Sequence, residues 1–175
     1  LLKMTPIKSD KKLRRRIKVA YLMQYINLFV AGFLIVILPL LMRERGISIE
    51  TIGLIFASLP LIFQGTRLLF AVLSDMTGRG LFYTINGLTG TISLVIYYVA
   101  SSPLTFLLGK ITEGVSNAAL WSVNRAYVME ESERDINSLI KLKGVTLISQ
   151  AVGSFFAGIL VALIFYESSL LICLV

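Results

Sequence analysis

Five apolar runs, each about 20 residues or longer, separated by short polar links, constrain this chain more than any other feature. They extend over about Val19–Met42, Ile52–Leu73, Leu81–Ala100, Leu104–Tyr127 and Val145–Tyr166, and a further run begins at Ser168. Roughly 20 apolar residues in a helix cross about 30 Å of hydrocarbon. A strand crossing a membrane would need alternating apolar and polar residues, and none of the runs alternates. The expected fold is therefore all-α, a polytopic transmembrane bundle of five full helices and the start of a sixth.

Charge agrees with that class. Only 15% of the residues are charged, mean hydropathy is +0.82, and the charges collect between the runs. Eight of the 17 Lys and Arg precede residue 19. This basic segment, residues 1–18, abuts an apolar run, so an anionic lipid surface is its expected partner and nucleic acid is not. The first run is too long for the apolar core of a signal peptide and has no small-residue cleavage pattern, so it reads as a membrane helix.

With the N-terminus in the cytoplasm, thirteen Lys and Arg fall inside, against Arg43 and Arg45 outside. That asymmetry predicts the orientation of a multi-pass protein of the cell membrane. Residues 19–175 then form one transmembrane domain. "MEESERDINSLIKLKG" is the only stretch polar enough to read as a linker, between the fourth and fifth helices. Ser48 is placed to cap the second helix, with Glu50 in its first turn, and Pro103 to open the fourth.

The chain has one cysteine, Cys173, and no histidine. It can form no internal disulfide and no Cys/His metal site, and no metal or cofactor is expected. No nucleotide loop, nucleophile–base pair or acidic metal cluster stands out, so no enzyme is expected either.

The fourth run carries the unusual residues. In "FLLGKITEGVSNAALW" a lysine and a glutamate, Lys110 and Glu113, stand three positions apart inside an apolar segment. At that spacing they lie on neighbouring faces of a helix and can pair. An ionisable group near the bilayer centre costs roughly 2.5–3.5 kcal/mol on insertion scales, so such groups are expected to face protein or water. Helical steps extend the polar stripe through Asn117, Trp121 and Asn124. The same residues allow a purely structural ion pair, or a Lys110 that snorkels to the near surface. Gln24 and Asn27 in the first helix and Gln150 in the fifth are further candidates to face a cavity. Arg67, near the end of the second helix, is open to snorkelling or a cavity role. Ser149, Gly153 and Ala157, beside Gln150, Ser154 and Gly158, form small-residue rows suited to close helix packing. Tyr83, Asn86, Ser93 and Tyr97 of the third helix carry no assigned site.

The loop "AVLSDMTGRG", residues 71–80, resembles the signature G-x-L-[AS]-D-[RK]-x-G-[RK]-[RK] of the major facilitator superfamily of transporters. Leu73, Ser74, Asp75, Gly78 and Arg79 match; Ala71, Met76 and Gly80 depart from it. "RGISIETIGLIFASLPLIFQ" is similar to that family's external loop and second helix. "LLGKITEGVSNAALWSVNRAYVMEES" is similar to its charged fourth helix.

The resemblance implies the N-terminal six-helix half of a permease, with this chain a fragment or half of the whole. Transport of a small solute by alternating access would follow, with protons as a coupling ion and a second six-helix half, or another copy, as partner. It also implies a conformational-switch loop at Asp75, Gly78 and Arg79. Lys110 would be the binding or coupling residue, with Glu113, Asn117, Trp121, Gln24, Asn27 and Gln150 as candidate neighbours. The fifth helix lacks the Gly-Pro pattern of the family's drug/proton antiporters. The alternative is a membrane subunit without transport activity that binds another membrane protein.

Overall fold

The computed structural model describes residues 10–78, 80–131 and 136–163, which form five α-helices and no strand. The helices are α1 (Asp10–Glu44), α2 (Ile49–Thr77), α3 (Gly80–Val99), α4 (Pro103–Glu131) and α5 (Ile136–Leu163). The incomplete helix expected at 168–175, Cys173 and Arg79 lie outside the described residues.

Local chemistry sets the ends. Gly46 ends α1 with a φ of 78°, a left-handed conformation that costs glycine little. Its N–H donates to the Arg43 carbonyl and that of Ile47 to Met42, which closes the helix in a Schellman turn. Ile47 and Met42 then meet in the same buried cluster, the apolar contact this turn usually carries. Two residues on, the Ser48 hydroxyl accepts from the Thr51 N–H at 3.3 Å and caps α2. Pro103 opens α4, where its missing N–H has no helical partner to lose.

The helices outrun the apolar segments that nucleate them. α1 begins in the basic segment, whose lysines and arginines are good helix formers. The stretch that reads as a linker is mostly helix: α4 continues to Glu131 and α5 starts at Ile136, leaving 132–135 between them. The first turns of α5 stay helical because Leu142 is buried against Ala20 of α1 and Val128 of α4.

Packing divides the bundle into a pair and a triplet. α1 lies along α5, α2 and α3 flank α4, and α4 also touches α1 and α5. The largest apolar cluster, including Phe33, Ile37, Leu41, Tyr97 and Phe106, closes the end near Arg45. Arg45 donates to the Ala100 and Tyr98 carbonyls at the C-terminus of α3, where a cation also meets the negative end of the helix dipole. The opposite end holds the beginnings of α1 and α5 and the end of α4.

Four of the five helices, α1, α2, α3 and α5, are long and apolar enough to cross a membrane. α4 is as long as α2, but its polar stripe lowers its hydropathy. Its place inside the bundle explains the difference, since its polar side chains meet protein instead of lipid. Exposed Leu54, Leu61 and Leu68, seven residues apart on α2, suit a face turned to hydrocarbon.

The α1–α5 pair is held at backbone contact. A Cβ on Gly153 would run into the Phe29 carbonyl of α1, and one on Gly32 into the Gln150 carbonyl of α5. Ser154 seals the crossing by donating to the Gly32 carbonyl at 2.9 Å. Gly158, one turn away, faces open space. Overpacking costs roughly 1–3 kcal/mol, and about 1 kcal/mol moves the midpoint of a chain this size by roughly 2–4 °C. Gly153→Val should therefore lower the melting midpoint in detergent by roughly 5 °C or more, whereas Gly158→Val should leave it nearly unchanged. Equal midpoints for the two variants would disprove the close crossing.

Candidate functional site

Lys110 and Glu113 sit one turn apart on α4 and form a buried ion pair. Nζ lies 2.9 Å from Glu113 Oε2, and the residues are 1% and 7% exposed. Lys110 does not snorkel to the surface. Its ammonium stays inside, 4.3 Å from the ring centre of Phe56 on α2 and 5.7 Å from that of Tyr97 on α3. A cation over aromatic faces is stabilised by their quadrupoles, most strongly when water is excluded.

Tyr97 completes the cluster. Its hydroxyl donates to the same carboxylate oxygen, Glu113 Oε2, at 2.5 Å. Gly109 makes this possible, because a Cβ there would collide with the Tyr97 ring. One carboxylate oxygen thus holds a cation from its own helix and a phenol from the next. Among the described residues, the other oxygen, Oε1, has no hydrogen-bond partner.

Two cavities meet at this carboxylate. One, of about 290 Å³, is walled by α1, α2, α4 and α5 and lined by Phe56, Phe63, Lys110, Asn117, Trp121 and Gln150. The other, of about 250 Å³, lies among α1, α3 and α4 and includes Asn27, Asn86 and Ser116. Glu113 and Asn117 line both. Among the described residues, the Asn27 Oδ1 is buried with no hydrogen-bond partner. Buried polar atoms usually find one, so this atom is a ready acceptor for something that enters the cavity.

The candidates from the sequence therefore separate into groups. Lys110, Glu113, Asn117, Trp121 and Gln150 share the first cavity, and Asn27 stands in the second. Gln24 is fully buried and lines neither. Its Oε1 accepts from Asn124 Nδ2 at 2.8 Å, and its Nε2 donates to Thr146 Oγ1 at 3.0 Å. Asn124 also donates to the Ala20 carbonyl and accepts from the Tyr83 hydroxyl. This chain of polar groups ties α1, α3, α4 and α5 together below the site. Gly78 caps α2 with a φ of 88°, its N–H donating to the Ser74 carbonyl. Asp75 lies in the last turn of α2.

Tyr97 and Phe56 were not legible as site residues. Each is an ordinary aromatic in an apolar run, and only the helix crossings turn them towards Lys110. Of the third-helix polar residues without an assigned site, Tyr83, Asn86 and Tyr97 bond to α4, whereas Ser93 donates to the Gly90 carbonyl of its own helix. Asn86 Nδ2 donates to the Ser116 carbonyl and hydroxyl, both at 2.9 Å, and the Ser116 hydroxyl donates back to the Asn86 carbonyl.

These features define an integral membrane protein, a helical bundle that hides charge and polar cavities behind apolar outer faces. The chain belongs to the Major Facilitator Superfamily, whose sequence profile it matches over residues 20–175. It is similar to an uncharacterized MFS-type transporter of Methanocaldococcus jannaschii, 26% identical over 117 residues. The match covers 67% of this chain and 30% of that relative's length.

Proposed function

We propose that the chain serves membrane transport of a small solute by alternating access, as part of a proton-coupled permease. One observation carries the reading: a buried ion pair opens onto a cavity walled by four helices, beside Asn117 and Gln150. Both amides line that cavity. A pair that only fixed packing would have no use for a cavity lined by amides beside it.

The chemistry follows from the contacts. A proton added to Glu113 cancels the charge that faces Lys110 and turns an acceptor of two hydrogen bonds into a partial donor. Lys110 is then free to pair with a solute or with groups across the cavity. Loss of that proton restores the original pair. The polar chain through Gln24 and Asn124 keeps the helices together while the bundle rocks as a unit. A second bundle, or another copy, supplies the facing wall, and the loop at Asp75, Gly78 and Arg79 bears on it. In the cell membrane the N-terminus lies in the cytoplasm, by the excess of basic residues at that end.

Proteoliposomes loaded with a pH-sensitive dye test the proposal. With the complete protein inserted, some member of a small-solute panel should drive solute-dependent proton movement. Absence of solute flux under any imposed gradient would overturn transport, and solute flux without proton movement would overturn the coupling.

A further inference from the structure

A third cavity, of about 200 Å³, lies between α4 and α5 on the side of the bundle where α1 begins. It is lined by Trp121, Arg125, Leu139, Leu142 and Lys143. Trp121 also lines the cavity of the Lys110–Glu113 pair, so one indole stands between the two spaces. Arg125 follows Trp121 by one helical turn, on the same face of α4. Leu139 stands in the same relation to Lys143 on α5.

Two features set these cations apart from basic residues that only mark the cytoplasmic side of a membrane. They converge on one half-open space, and among the described residues neither has an ion pair or hydrogen bond. Like charges on one cavity raise its potential and draw in an anion. Arginine offers a planar fork of donors to a phosphate or carboxylate, and lysine a point charge. The two leucines and the indole leave the remaining wall apolar.

We propose that this cavity binds an anionic group, phosphate or carboxylate, carried on a molecule with an apolar portion. Arg125 and Lys143 hold the anion; Leu139, Leu142 and Trp121 receive the apolar part. Such a group has two sources: the headgroup of an anionic lipid, or a soluble organic anion beside the inner cavity. The assignment does not rest on transport, because either source can occupy the site in a protein that moves nothing.

The chain has one tryptophan, so tryptophan emission reports on the two cavities that Trp121 lines, and the variants at Arg125 and Lys143 tell them apart. Protein in neutral detergent is titrated with sodium phosphate and sodium benzoate at an ionic strength held constant with sodium chloride. A parallel series compares nanodiscs of phosphatidylcholine with nanodiscs containing phosphatidylglycerol. A saturable change in Trp121 emission is expected in at least one series. Hydrogen bonds to charged groups contribute roughly 1.5–3 kcal/mol each, so R125Q/K143Q should weaken the response at least about tenfold. The charge-conserving pair R125K/K143R should retain it. A response to phosphate or benzoate assigns the site to a soluble anion, and one confined to phosphatidylglycerol assigns it to a headgroup. No saturable response in any series overturns the proposal. So does an undiminished response in R125Q/K143Q, which would place the anion at Lys110 instead. Both side chains are exposed, so these variants should fold.

Discussion

Glu113→Gln is expected to reduce proton-coupled uptake by roughly 10- to 100-fold, and to remove its dependence on the proton gradient. The size follows from the charge-assisted hydrogen bonds that end on Oε2, at roughly 1.5–3 kcal/mol each, where about 1.4 kcal/mol is tenfold. Glutamine keeps the shape and can still accept from Tyr97, but it can neither take up a proton nor balance the Lys110 ammonium. The measurement is initial uptake in proteoliposomes, with and without an inward proton gradient, on protein whose elution profile matches the parent. Unchanged uptake with unchanged pH dependence would remove Glu113 from the mechanism.

Lys110→Met should produce the second large effect, this time on stability. Removing one partner of a buried pair leaves the other charge without compensation, at a cost of roughly 3–5 kcal/mol. Replacing both partners with apolar residues of similar volume is often neutral or stabilising. The melting midpoint of K110M should therefore fall steeply, and that of the double variant K110M/E113L should return close to the parent. The same double variant should remain without uptake. That combination, stable but inactive, separates a pair kept for function from one kept for packing. A double variant that transports normally would show that the pair only holds α4 in place. One that is as unstable as K110M would show that Tyr97 and Phe56 need the charges to pack.

How the site was legible depends on which helix supplied each group. Lys110 and Glu113 belong to one helix, three residues apart, and their pairing follows from helical geometry alone. The polar stripe on α4 and its inward direction follow from the cost of charge in hydrocarbon. Gln24 shows the limit of that reasoning. A polar residue on the inner face of α1 can meet either a cavity or another side chain, and periodicity does not distinguish them. The structure puts Asn124 and Thr146 against it, on α4 and α5, 100 and 122 positions away. The small residues of α5 were legible as packing rows, and Gly153 packs as expected. Gly158, in the companion row, faces open space, one turn beyond the Ser154 contact with Gly32.

The sequence by itself determined the class: membrane-crossing helices, a charged α4 turned inward, and a cluster of basic residues at one end. Those properties are local, set by the length of apolar runs, by i, i+3 and i, i+4 spacing, and by the cost of charge in hydrocarbon. Only the tertiary structure decided that Tyr97 shares the Glu113 oxygen, that Phe56 stands over Lys110, and that Gln24 serves as a tie between helices. It also decided that Arg125 and Lys143, 18 positions apart, face one cavity. The reason is that a helix specifies which face a side chain occupies. Which other helix that face meets, and at what height, depends on close crossings such as that of Gly32 and Gly153, and a single helix does not encode its partner's register.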